Sequence, residues 1–131
     1  MIKSLLIFIL CLTSTLSFAQ VSNQLKDTVI YFTPEQNAEF VGGVDQLMEY
    51  IYSNYRAPCG TGFEINAVVI LRFVVEIDGS ISNAIVEKNS DCVLCASQAL
   101  RIVQKMPTWI PALNHGKAVR SYIRLPIDFS F

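Results

Sequence analysis

The sequence predicts an α+β domain with the element order β-α-β-β-α-β, in which two helices cover one face of a small antiparallel sheet. Three observations carry this. Two stretches, near residues 44–54 and 92–105, show the apolar spacing of amphipathic helices. Residues 65–88 read as two strands joined by a turn. The C-terminal stretch alternates from Val119 onward, with Val119, Ile123, Leu125, Ile127, Phe129 and Phe131 on one face and Arg120, Tyr122, Arg124, Pro126, Asp128 and Ser130 on the other; Ser121 interrupts the apolar face. Period-two alternation of this kind belongs to a strand with one face on a core and one in water. Packing both helices on the apolar face is the economical arrangement.

The N-terminus reads as an address rather than as fold. Met1 to Lys3 supplies a positive start, Leu5 to Leu12 an apolar run, and Thr13 to Ala19 a small, polar segment with Ser17 and Ala19 placed for cleavage before Gln20. That is the pattern of a secretory signal peptide, and the run is shorter than the roughly 20 apolar residues that span a bilayer. The expected division is a signal peptide at 1–19, an N-terminal segment at 20–38 and a single domain at 39–131. The mature chain is expected to be exported to the periplasm.

Composition narrows the function. The chain has 131 residues, 52% hydrophobic and 16% charged, enough apolar matter for one real core. Without Lys3 the balance is 9 basic to 11 acidic residues, a net charge of −2. No basic block or stripe appears, so nucleic acid is excluded as a partner.

In chain order, Thr28 to Phe32 (TVIYF) is β-branched and aromatic, a short first strand. Pro34 to Glu39 connects. Gly42-Gly43 opens the first helix, whose stripe is Val44, Leu47, Ile51 and Tyr55, with Met48 and Tyr52 beside it. Pro58, Gly60 and Gly62 mark a loop. Residues 65–77 place Val69, Leu71, Phe73, Val75 and Ile77 on an apolar face and Val68, Ile70, Arg72, Val74 and Glu76 on a mixed one. Asp78-Gly79 predicts a two-residue hairpin turn, and Ser80 to Lys88 the partner strand. Asp91 is a good N-cap for the second helix, with Cys95, Ala99, Ile102, Val103 and Met106 facing inward and Pro107 ending it. Trp109 is expected to pack over an edge of the core, and Asn114 to Lys117 to turn the chain into the last strand.

Little catalytic chemistry is visible. His115, the only histidine, lies in a turn without a neighbouring carboxylate in sequence. Glu76 and Asp78 read as solvated groups at the hairpin turn. No phosphate loop, nucleophile elbow or metal signature appears, so no enzyme activity, cofactor or metal is expected. The cysteines hold the one ambiguity. Cys92-Val93-Leu94-Cys95 matches C-x-x-C at a helix start, so a thiol-redox role is weighed as an alternative. The favoured reading is structural. The hairpin over 65–88 brings its two flanks together, so a disulfide is expected from Cys59 to Cys92 or Cys95.

Four segments in order resemble the TonB C-terminal domain family, in the form common in Bacteroidetes-type bacteria. Glu39-Phe40-Val41-Gly42-Gly43 with Leu47-Met48 is similar to the family's E-F-P-G-G opening of its first helix. Phe73 to Ile81 (FVVEIDGSI) resembles its F-x-V-x-x-D-G-x-I hairpin. Ala99 to Val103 (ALRIV), with Met106-Pro107, Trp109 and Pro111, resembles its A-L-R-V-V and M-P-x-W-x-P segment. Gly116-Lys117 with Val119, and Leu125 to Phe129 (LPIDF), resemble its G-K-x-V and L-P-I-x-F close. The resemblance covers about Glu39 to Phe131. Val41 stands where the family has proline, and Tyr55 to Gly60 departs from its usual Tyr-Pro stretch.

The resemblance implies a peptide-binding module that works by strand addition to an exposed sheet edge. In the family the added strand is the Ton box of an outer-membrane receptor. Pro126, without an N–H, points to the last strand as that edge. Val119, Arg120, Ser121, Tyr122, Ile123 and Arg124 are the expected partner-binding residues, with Arg120, Tyr122 and Arg124 selecting sequence. The alternative for these three is ordinary edge protection. The partner is then an outer-membrane TonB-dependent receptor or another envelope protein, with a homodimer also open. The chain is expected to lack the membrane anchor and long linker of a full energy transducer. The alternative function is an envelope structural or interaction protein on the same fold.

Overall fold

The computed structural model describes residues 28–56, 66–89 and 92–130. The expected signal segment, Cys59 and Asp91 lie outside them. The elements run β1 (Ile30–Tyr31), α1 (Gly43–Asn54), β2 (Val68–Val75), β3 (Ile81–Asn89), α2 (Val93–Gln104), β4 (Ala112–Asn114) and β5 (Lys117–Asp128). The α+β class stands. The sheet has the order β1-β5-β2-β3, with β4 paired to β5. It is mixed, because β1 joins β5 in parallel while the other pairs are antiparallel.

The apolar alternation of β2 and β5 builds the core. Val69, Leu71, Phe73 and Val75 pair with Ile127, Leu125, Ile123 and Ser121, and this face carries the helices. Phe73, Phe129, Leu71, Ile102 and Val103 are among the largest fully buried side chains. Each such side chain stabilises the fold by about 1.5–3 kcal/mol. From α2, Cys95, Ala99, Ile102 and Val103 point inward, as their spacing predicts. From α1, Leu47 and Ile51 are buried, whereas Val44 is 72% exposed. The Tyr50 hydroxyl donates to the Ile102 carbonyl at 3.1 Å and ties the helices together. Burial raises the Tyr50 pKa above its ordinary value.

Trp109 does pack on the core. It meets Phe40 and Phe73 edge-on, with ring centroids 5.6 and 5.5 Å apart. Its backbone N–H donates to the Gly79 carbonyl at 2.8 Å. Gly79 lies at φ +83, and a Cβ there would stand 2.0 Å from the Trp109 carbonyl oxygen. The glycine is therefore required by close approach as well as by backbone conformation.

Several expectations need correction. The hairpin turn is longer than two residues. The Glu76 N–H donates to the Ser80 carbonyl, enclosing Ile77, Asp78 and Gly79, so β2 stops at Val75 and Ile77 is exposed. The loop is the three-residue kind with its last residue left-handed. Asp78 shapes it by accepting from the Ser80 N–H and hydroxyl, which hold its carboxyl below the usual range. The N-cap of α2 is Cys92, not Asp91; its Sγ accepts the Cys95 N–H at 3.2 Å. The segment before the final turn is a strand, β4, closed on β5 through His115-Gly116. Gln36 and Glu39 bridge to Leu113 and Ile110, so the expected connector is anchored to β4 and to Ile110, two residues ahead of it.

The disulfide also differs. Cys92 and Cys95 are joined to each other, with Cα atoms 5.2 Å apart, so neither is left for Cys59. The N-cap and the third helical residue stand one turn apart, within the Cα range a disulfide spans.

Candidate binding edge

Pairing direction decides which groups of β5 are available. The Phe129 N–H donates to the Ala67 carbonyl at 2.7 Å, and the register between β2 and β5 is unbroken from there to Val75 and Ser121. In an antiparallel ladder, residues direct their N–H and C=O alternately toward and away from the neighbour. Odd-numbered residues of β5 thus bond to β2, and even-numbered ones face the opposite edge. Pro126 falls on the even set, where its missing N–H removes nothing from the ladder.

That outer edge is partly occupied. β1 runs parallel along it, with Ile30 beside Arg120 and Tyr31 beside Ser121. In this register Tyr31 sits between the outward groups of Arg120 and Tyr122. Beyond Tyr122, no strand among the described residues pairs with the outer side of β5. Arg124 offers an N–H and a C=O there, and Pro126 a C=O.

The side chains divide between two faces. Ser121 is buried on the helix side, its hydroxyl without a hydrogen-bond partner among the described residues. Val119 and Ile123 pack against the core. These three do not present side chains to the open face. Arg120, Tyr122 and Arg124 do. The Tyr122 ring lies between Phe32, stacked at 4.5 Å, and the Arg72 guanidinium, 5.3 Å from the ring centroid. Arg124 pairs with Glu87 at 2.5 Å. Arg120 holds Glu76 through two bonds, Nε to Oε2 at 2.6 Å and a terminal nitrogen to Oε1 at 3.0 Å.

Glu76 is therefore not a simply solvated group. Its hydrogen bond from Arg120 lowers its pKa, partial burial opposes this, and the Ser82 hydroxyl, which also donates to it, lowers it further. Both partners of the pair are mostly shielded, which favours a fixed bidentate geometry over a loose surface contact. His115 also has a carboxylate beside it, Glu35 at 3.3 Å, but both side chains are exposed. Among the described residues, no group of three or more His, Cys, Asp or Glu side chains is placed to hold a metal ion, and no helix is long and apolar enough to cross a membrane.

Sequence reasoning missed Phe32, Arg72, Glu76 and Glu87 as members of this surface. Arg72 and Glu76 were visible on the mixed face of their predicted strand. The rest depend on register between distant segments.

The profile of the Gram-negative bacterial TonB protein C-terminal family matches residues 64–131, just over half of the chain. The chain belongs to the TonB C-terminal family. Comparison with curated proteins and with solved structures gave no match. Membership makes this a TonB-like domain of the periplasmic class, with a role in protein interaction at the cell envelope. The matched region contains β2, β3, α2, β4 and β5.

Proposed function

We propose that this TonB-like domain binds an extended segment of an outer-membrane TonB-dependent receptor by strand addition to the outer edge of β5. It acts by binding, not by catalysis, in the periplasm after removal of residues 1–19. The observation that carries the reading is the outward set of β5 backbone groups at Arg124 and Pro126, beside a sheet face already furnished with Tyr122, Arg72 and Arg124. Backbone pairing supplies affinity in such complexes, and side chains along the edge supply selection.

A pull-down from envelope extract tests it. The intact domain should recover TonB-dependent receptors, and Arg124→Pro should lose them, because it removes an outward N–H and spares the ladder to β2. Ile123→Pro is the wrong tool, since residue 123 bonds to β2. Recovery undiminished by Arg124→Pro, or recovery of unrelated envelope proteins alone, contradicts the proposal. A homodimer through the same edge is the competing occupancy, and sedimentation of the isolated domain as a monomer removes it.

The Cys92–Cys95 bridge supports a second reading, thiol-redox chemistry at the start of α2. A Cys92→Ser/Cys95→Ser variant that keeps full receptor capture assigns the bridge to structure instead.

A further inference from the structure

We infer that β1 is a built-in occupant of the receptor edge, and that its sequence describes the partner: a segment that runs parallel to β5 and brings an aromatic side chain to the Tyr122 ring. This rests on the strand-addition reading and adds to it both a partner chemistry and a competing internal strand.

Three features converge. β1 lies along β5 at Arg120 and Ser121, at the start of the same outer edge that continues open past Tyr122. Its hold is slight. Two residues pair, both half-buried, and Phe32 stacks on Tyr122 while remaining 71% exposed. The chain just beyond is anchored independently. The Glu35 N–H donates to the Asn114 side chain, Glu35 accepts from the His115 N–H, and Gln36 bridges to Leu113. Residues 28–32 can therefore leave the edge with the fold from Glu35 onward still tied down. A partner that offers more paired residues than β1 takes its place, parallel and in the same register.

The direction and chemistry follow from what is already seated. The Tyr122 ring, held from one side by Arg72, presents its other face to an aromatic ring. The residue before that aromatic lies between the outward groups of Arg120 and Tyr122, as Tyr31 does. Thr28-Val29-Ile30-Tyr31-Phe32 is β-branched and aromatic, a composition suited to an added strand.

The test uses the full chain and a labelled peptide of sequence TVIYFT, the sequence of residues 28–33, as the probe. Tyr31→Pro/Phe32→Ala removes one ladder N–H and the stacked ring, and should bind the peptide at least about tenfold more tightly than the unaltered chain by fluorescence anisotropy. Phe32→Ala alone keeps the ladder and should gain less. Adding Tyr122→Pro should abolish binding. Amide exchange gives a readout without peptide: the Tyr122 N–H should exchange faster in Tyr31→Pro/Phe32→Ala, whose near-UV circular dichroism verifies its fold. Equal affinity for the unaltered and released chains, or an unchanged Tyr122 amide, overturns the inference and leaves strand addition standing. A released chain that captures receptors yet ignores the peptide shows that β1 does not describe the partner. One that does neither overturns both.

Discussion

Gly79 offers a demanding test of the packing that sets the sheet against Trp109. In Gly79→Ala, the added Cβ would stand 2.0 Å from the Trp109 carbonyl oxygen and 2.7 Å from Thr108 Cγ2. The first obstacle is backbone and cannot rotate away. The segments must separate, and the hydrogen bond from the Trp109 N–H to the Gly79 carbonyl, 2.8 Å long, lengthens or breaks. The left-handed conformation costs a non-glycine residue about 1–2 kcal/mol, the hydrogen bond about 1, and the forced shift about 1–3. Together these destabilise by about 3–6 kcal/mol, a large part of the roughly 5–15 kcal/mol of a small domain. Gly116→Ala is the control. Gly116 is also left-handed, at φ +73, but nothing stands within 4 Å of its Cβ position. It should lose only about 1–2 kcal/mol. Urea denaturation of both variants, compared at equal m-value, measures the difference. If the two fall within about 1 kcal/mol of each other, the close approach between the hairpin turn and Trp109 is not what makes Gly79 necessary.

The other predictions concern charge and thiols. Arg120 and Ser82 hold the Glu76 carboxyl below its usual pKa, so this interaction stabilises fully above the unfolded carboxylate range and fades as pH falls through the folded value. Glu76→Gln should therefore be less stable than the unaltered chain near neutrality by about 1–2 kcal/mol, with the gap closing on acidification; thermal melts across pH read this, and a gap that widens in acid contradicts the pairing. Peptide mapping without reductant should find the Cys92–Cys95 bridge within one peptide. A cross-link to Cys59 would contradict the structure. Reduction should cost about 2 kcal/mol on the loop-entropy estimate for so short a loop, less than a bridge to Cys59 would.

What the sequence reveals, and what it conceals, follows from range. Helix stripes and strand alternation are local, so Leu47, Ile51, Cys95, Ala99, Ile102 and Val103 could be placed by spacing alone. Strand ends depend on turns. Asp78-Gly79 resembles a two-residue hairpin loop, yet the pairing of Glu76 with Ser80 adds a residue, because Gly79 must also reach Trp109. β4 was hidden because three residues after Pro111 carry no periodicity, and only the His115-Gly116 turn hints at it. The Cys92–Cys95 bridge was overlooked in favour of a topological argument from the hairpin flanks, although one helical turn already brings the two together.

The binding edge was the least legible part. Alternation separated Arg120, Tyr122 and Arg124 from the apolar face correctly. It also placed Val119, Ser121 and Ile123 on the core face, but it could not show that the backbone groups of Ser121 and Ile123 are taken by β2. Nor could it show that Arg120 is joined to Glu76, 44 residues away, or that Phe32 and Arg72 flank Tyr122. The parallel pairing of β1 is set by contacts across some 90 residues and leaves no pattern in a five-residue stretch.

Site-specific cross-linking measures the central claim most directly. A photoreactive amino acid at Arg124, on the outward side of β5, should link the domain in intact cells to an extended segment of an outer-membrane receptor, and the same group at Asp45 on α1 should not. Links from Asp45 in place of Arg124, or none from the β5 edge, would contradict strand addition at this site.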